Sequence, residues 1–215
     1  MNNSIINKLV FLFLFLSTIE VSAKNFIIEG NEYTDDDIVL SIIDKIPDID
    51  EKSQSNFILK KLINSQLFKS VEVAYDLNNF YIKINEYPSI NKFYYKNNER
   101  IDDEVIDNIV EELELYTLSE YQINNLIEEL YKIYQSFGYN NIQIEYRTED
   151  YSNNSSDVYL DFNEGDITKI NNITIKGNTV FDQNTILSKI KSKTKKITNI
   201  FANNNFKIFE LNNDI

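Results

Sequence analysis

The sequence predicts an α+β chain of tandem small units, each running strand, helix, helix, strand, strand, behind a short export signal. Three observations predict it. A strand-to-turn join recurs, with "NEYPSINKFYYKNNERI" at 85–101 echoed by "NEGDITKINNITIKGNTVF" at 163–181. Before each join, the apolar spacing changes from the three-to-four period of a helix to strict alternation. Finally, the N-terminal stretch has a composition of its own, with one cation, one apolar run and small residues at its end.

The export signal occupies 1–23. MNNSIINK contributes Lys8, LVFLFLFL is an unbroken apolar run at 9–16, and VSA at 21–23 places small residues where a signal peptidase cuts. The run is well short of the ~20 apolar residues that a membrane-spanning helix needs. An uncleaved anchor helix reaching Ile19 is the other reading of the same residues.

The first unit spans 24–88. FIIEGN is a short strand ending on a Gly30-Asn31 turn. In TDDDIVLSIIDKI, Thr34 can cap, Asp35 to Asp37 suit a positive helix start, and Ile38, Ile42 and Ile46 share a face before Pro47 stops the helix. Three adjacent aspartates could also suggest calcium, but EF-hand spacing is absent. SNFILKKLINSQLF predicts a second helix with Leu59, Leu62, Ile63 and Leu67 on one face. In SVEVAYD, Val71, Val73 and Tyr75 alternate with Glu72 and Ala74, and in FYIKINE, Phe80, Ile82 and Ile84 alternate with Tyr81 and Lys83. With Leu77-Asn78-Asn79 as the turn, this is a hairpin with one buried face.

The second unit, 89–165, repeats the order. INKFYYKNN is a strand and turn. DDEVIDNIVEEL is a helix with Val105, Ile106, Ile109, Val110 and Leu113 inward. SEYQINNLIEELYKIYQSFGY is a longer helix: Ser119 and Gln122 have capping-box spacing, Ile123, Leu126, Ile127, Leu130 and Tyr134 form its stripe, and Gly138 ends it. NIQIEYRTE and DVYLDFNEG are alternating strands joined by the polar DYSNNSS. A third unit starts within 166–215, with a strand and turn, the helix FDQNTILSKIKSK and a helix start in FKIFELNNDI, but no closing hairpin. Residues 208–215 are therefore expected to be unstable. The landmark asparagines Asn31, Asn98 and Asn178 lie too far apart for a solenoid of roughly 20–50-residue repeats, so each unit is a small domain. Pro88 and Gly165 mark short, swing-limiting joins.

A net charge of −13 argues against a nucleic-acid partner, which needs a basic surface, and against docking on anionic lipid. With no Cys and no His, disulfides, thiolate and imidazole chemistry and the usual structural zinc sites are excluded. The remaining carboxylates that could serve a hydrolase, such as Glu111, Glu112, Glu114, Glu128 and Glu129, fall on helix faces as solvated charge. No enzyme activity, metal or cofactor is expected.

At these residues the pattern resembles the POTRA (polypeptide-transport-associated) domains of the BamA family of outer-membrane protein assembly factors. NSQLFKSVEV is similar to the segment that usually reads Gly-Leu-Phe before the second strand, and YQSFGYNNIQI to its Tyr-x-x-x-Gly-Tyr version. NEYPSINKFYYKNNERI resembles the family's Glu-Arg-Pro-x-Ile junction and NEGDITKINNITIKGN its Glu-Gly-x-x-x-x-Ile junction. The likeness runs from Asn25 to Ile215. It departs at Gln66 and Asn97, where glycine is usual, and at Tyr87, where arginine is usual.

The resemblance implies a three-stranded mixed sheet packed on two helices in each unit, with the second strand at an edge. Here those strands are 71–76 and 142–148. Their backbones would bind an extended client by strand addition, through Val71, Glu72, Val73, Ala74 and Tyr75 in one unit and Ile142, Gln143, Ile144, Glu145 and Tyr146 in the other. The alternating Val71, Val73, Tyr75, Ile142, Ile144 and Tyr146 would face the core, and Glu72, Glu145 and Arg147 would keep the edges polar. Tyr87, Pro88, Glu164 and Gly165 would form the inter-domain junctions. The partners implied are unfolded outer-membrane β-barrel proteins, accessory lipoproteins of an assembly complex and periplasmic chaperones. The location implied is the periplasm, tied to the outer membrane through a barrel absent from this chain, which is then expected to be a piece of a longer protein. A translocation-assembly or two-partner-secretion transporter fits the same architecture, and an exported adhesive or structural protein is the reading from another class.

Overall fold

The computed structural model of the protein describes residues 24–195 and 203–214. The expected signal at 1–23 lies outside the described residues. Tertiary contacts divide the chain into two units, Met1–Asn85 and Glu86–Ile215. No helix among the described residues is long and apolar enough to cross a membrane.

In the first unit the order is β1 (Asn25–Glu29), α1 (Asp36–Ile42), α2 (Glu51–Asn64), β2 (Phe68–Tyr75) and β3 (Asn79–Glu86). The sheet order is β1-β3-β2, and β1 runs parallel to β3 with Phe26 opposite Phe80 and Ile28 opposite Ile82. A parallel pair requires a crossover, which the two helices and β2 supply. The alternation in β3 puts Phe80, Ile82 and Ile84 into a core with Val39, Ile43, Ile58, Leu62 and Phe68.

The helix faces differ from the sequence reading. Helix α1 is only two turns long. Its N-cap is Asp35 rather than Thr34, and the chain turns off at Lys45, which has a φ of 59°, before Pro47 is reached. Val39 and Ile43 carry the buried stripe, and Ile38 is 46% exposed. Ile42 and Ile46 pack against the edge of this core, so the buried face is centred one residue on from the expected stripe. Helix α2 begins earlier than expected, at Glu51, because the Asp50 carboxylate accepts from the Ser53 backbone N–H at 3.0 Å and caps it. Its buried face is Ser55, Ile58 and Leu62, which leaves Ile63 exposed.

The second unit repeats this plan with β4 (Ser89–Lys96), α3 (Asp103–Glu112), α4 (Glu120–Phe137), β5 (Gln143–Tyr151) and β6 (Ser155–Asn163). The sheet order is β4-β6-β5, with β4 parallel and β5 antiparallel to β6. Both units are therefore α+β with a three-stranded mixed sheet, as the resemblance implies. The α4 stripe is fully legible: Ile123, Leu126, Leu130 and Tyr134 are all completely buried. Gly138 ends the helix at a φ of 101°. Ser119 is the N-cap, but its side chain makes no capping hydrogen bond, and the Thr117 hydroxyl bonds Gln122 instead. In α3, Ile106 is inward and Val105 is exposed.

Residues 166–195 and 203–214 cluster with the second unit. Helices α5 (Gln183–Lys189) and α6 (Ile208–Asp214) form there. The expected strand at 167–176 does not: it makes one isolated bridge, Lys169 to Asn205. In the two sheets the corresponding strand pairs in parallel with the last strand of a hairpin, and no such strand is among the described residues of this segment. Ile173, Ile175, Ile186, Ile190 and Leu211 instead line a cavity of about 990 Å³. Ile208–Asp214 is helical and tied back. The Asp214 carboxylate accepts from the backbone N–H of Lys191 at 2.6 Å and of Ser192 at 2.8 Å.

Candidate functional site

In a three-stranded sheet the outer strands keep one row of backbone groups unpaired by the sheet. Strands β2 and β5 are outer strands, bonded only to β3 and β6. Val71, Glu72, Val73, Ala74 and Tyr75 lie within β2, Gln143, Ile144, Glu145 and Tyr146 lie within β5, and Ile142 immediately precedes it. Strands β1 and β4 are outer strands as well. The flank of β4 is partly occupied, because Ile90 N–H donates to the Tyr116 carbonyl at 2.8 Å and Leu118 N–H to the Pro88 carbonyl at 2.7 Å.

The two candidate edges differ. On β2, the Ser55 hydroxyl of α2 donates to the Val73 carbonyl at 3.2 Å, so one acceptor is already engaged by the helix layer. No hydrogen bond from outside the sheet reaches the backbone of β5 among the described residues. Side-chain placement follows the alternation only in part. Val71 and Val73 pack against the first core, and Ile142 and Ile144 are buried in the second. Tyr75 and Tyr146, expected inward, are 44% and 41% exposed. Tyr146 has no neighbouring strand on its free side, and after Ile144 no β5 residue belongs to the core. Tyr75 sits at the strand end, where its ring lies 6.3 Å from Phe80 and 5.6 Å from the Lys24 ammonium.

The face of the second sheet turned away from its core carries a ladder. Tyr94 stacks on Tyr159 at 4.7 Å, the Arg147 guanidinium lies 3.7 Å over Tyr159, and the Lys92 ammonium lies 4.8 Å over Tyr94. Register aligns it, since Tyr159 is opposite Tyr94 on one side and Arg147 on the other. A shallow depression of about 280 Å³ opens among Tyr94, Lys96, Glu145, Arg147, Tyr159 and Asp161. Beside it Asp157 is buried, with its carboxylate accepting from Asn91 at 2.7 Å and from the Tyr151 hydroxyl at 2.8 Å. That bond, with burial and nearby acids, pushes the Tyr151 hydroxyl up to about 12. The alternation marks Tyr94 and Tyr159 as outward, but only the β4–β6 register reveals that they meet.

The residues expected at the junctions make their contacts within the second unit. The Glu164 carboxylate accepts from the Tyr134 hydroxyl and from the Arg100 backbone N–H, both at 2.8 Å. Burial, and then this bond, raises the Tyr134 hydroxyl far above its usual range. Gly165 has a φ of 63°. The Tyr87 carbonyl accepts from Asn154 at 3.4 Å. Sequence reasoning missed a contact at the C-terminus of α4. Thr168 N–H donates to the Gly138 carbonyl at 2.9 Å, and Asn140 donates to the Phe206 carbonyl at 2.9 Å. A Cβ on Gly138 would stand 3.1 Å from both Asn205 and Ile167, so this glycine serves the helix cap and a close approach together. Among the described residues no group of three or more acidic side chains could hold a metal ion.

No family model matches the chain. The outer membrane protein assembly factor BamA of Neorickettsia risticii (strain Illinois) is 26% identical over 147 residues, covering 68% of this chain and 20% of that protein. The chain thus spans about a fifth of the length of this relative. Solved structures similar to it include the N-terminal domain of Omp85 from Thermosynechococcus elongatus, at 14% identity and a TM-score of 0.45, covering 90% of this chain and 83% of that one. POTRA1-3 of the periplasmic domain of Omp85 from Anabaena is also 14% identical, with a TM-score of 0.44 and coverage of 89% and 81%. Haemophilus influenzae BamA POTRA3-5 is 12% identical, with a TM-score of 0.41 and coverage of 90% and 82%.

Proposed function

We propose that this chain is the periplasmic POTRA region of a BamA-like outer-membrane protein assembly factor. In this reading 1–23 is the signal peptide, 24–88 and 89–165 are POTRA domains, and 166–215 is part of a third. It receives unfolded β-barrel clients by strand addition and docks accessory subunits of an assembly complex. The observation that carries the reading is the repeated topology: in both sheets the second strand of the unit is an outer strand with a backbone row free of the sheet.

The physics suits a conduit. A client segment laid beside β5 or β2 gains backbone hydrogen bonds worth ~0.5–1.5 kcal/mol each, net of water. Ordering its backbone costs ~1–2 kcal/mol per residue. The two nearly cancel, so binding is weak and reversible, and a client is held extended without being trapped. Because backbone groups do the pairing, sequence preference is broad and no catalytic side chain is required.

The test is amide exchange on the full chain with a urea-diluted, unfolded outer-membrane β-barrel protein as the probe. The expected result is added protection along Gln143–Tyr151, with less along Phe68–Tyr75, where Ser55 already engages the Val73 carbonyl. An unfolded helical protein should give little. Equal protection everywhere, or none on either strand, would overturn the proposal.

A further inference from the structure

The β5 edge carries a charge pattern that no opposite charge in the sheet answers among the described residues. Glu145, Arg147 and Glu149 alternate on the face turned away from the core. The β5–β6 register sets Glu145 opposite Asp161 and Glu149 opposite Asp157. Like charges directly across a ladder repel. Each inner carboxylate already has partners of its own. Lys96 lies 3.8 Å from Asp161, and Asp157 is held by Asn91 and Tyr151. Glu149 accepts only from the neutral Tyr159 hydroxyl, at 3.0 Å, and neither it nor Glu145 has a cation within ion-pair distance among the described residues. Arg147 likewise pairs with no carboxylate there, and stacking on Tyr159 holds its guanidinium in place.

Resting on the proposed edge-binding function, we infer that the free edge of β5 selects an extended strand bearing basic, acidic and basic side chains at alternate positions on that face. The two basic residues would stand opposite Glu145 and Glu149 and relieve their repulsion with β6. The acidic residue would meet Arg147, whose fork suits a carboxylate. The two intervening residues would fall beside the exposed ring of Tyr146 and beside Thr148, so an apolar or β-branched residue suits each. The pattern reads the same in both directions, so it selects without fixing strand polarity. Strand β2 does not share the preference: its corresponding face is Ser70, Glu72 and Ala74, with a single charge.

The test uses two labelled synthetic peptides of identical composition, with Val and Ile alternating with charged residues ordered Lys-Asp-Lys in one and Asp-Lys-Lys in the other. Equal net charge removes the general attraction of an acidic protein for cations. The Lys-Asp-Lys peptide should bind the full chain about tenfold more tightly and slow exchange along β5. In the variant Glu145→Lys, Arg147→Glu, Glu149→Lys, a Glu-Lys-Glu peptide should bind more tightly than its permuted form Lys-Glu-Glu. Should that variant fail to fold, the two-peptide comparison on the natural chain still decides. Equal affinities with β5 protected by both would overturn the charge selectivity and leave the edge reading standing. No protection of β5 by either peptide would overturn both.

Discussion

Gln66 and Asn97 occupy positions where the resembling family usually has glycine, and both take up a glycine backbone, with φ of 60° and 63°. Asparagine enters this region at little cost, but a side chain such as glutamine pays roughly 1–2 kcal/mol there. Gln66→Gly should therefore stabilise the first unit by about 1 kcal/mol, since the extra freedom of glycine in the unfolded chain returns only part of the relief. A urea-unfolding midpoint that does not rise would contradict this. Asp76 is a second single-residue device. Its carboxylate accepts from the Asn78 and Asn79 backbone N–H groups at 2.8 Å and from the Tyr81 hydroxyl at 2.9 Å, which closes the β2–β3 turn. The Asn78 bond first, and then Tyr81, lower its pKa from 3.8 to about 2. The folded value is the depressed one, so the brace is fully present above about pH 4 and is lost as pH falls towards 2. Asp76→Asn should flatten the pH dependence of stability across that window, which denaturation at a series of pH values would read.

Among the elements, α4 was the most legible and the segment at 167–176 the least. Helix α4 is long enough for its period to identify one face, and Ile123, Leu126, Leu130 and Tyr134 are all fully buried. Leu130→Ala should cost about 2–5 kcal/mol, whereas Val105→Ala on the exposed side of α3 should change stability by at most about 0.5 kcal/mol. Similar losses at both positions would mean that α3 packs otherwise. Helix α1 was read only in part: Ile42 and Ile46 pack against the core, but two turns could not show that Val39 and Ile43 are its centre and that Ile38 is exposed. The 167–176 segment alternates like a strand, yet a strand exists only with a partner, and alternation does not report whether one is present.

At the scale of the molecule, two sheets of the same order offer two edges of unlike chemistry. The β2 edge has one charge outward and one carbonyl bonded by Ser55, and the β5 edge has three alternating charges and no such bond. The acidic excess of −13 keeps these edges from uncontrolled pairing, since copies of the chain repel one another. A tandem scaffold of this kind would present clients with one broadly accepting edge and one selective edge, and the composition-matched peptides separate those properties.

The sequence by itself determined the unit order, the strand alternation, the long helix with its glycine stop, and the absence of Cys and His chemistry. These follow from local period and residue type, which neighbours along the chain fully specify. Only the tertiary structure decided which strands meet and in what register. That pairing places Tyr94 on Tyr159 under Arg147, sets Glu145 and Glu149 against Asp161 and Asp157, leaves Tyr75 and Tyr146 partly exposed, and brings Asn205 against Gly138. Such contacts join residues far apart in sequence. Their energies depend on distance in space, and a one-dimensional pattern carries no record of it.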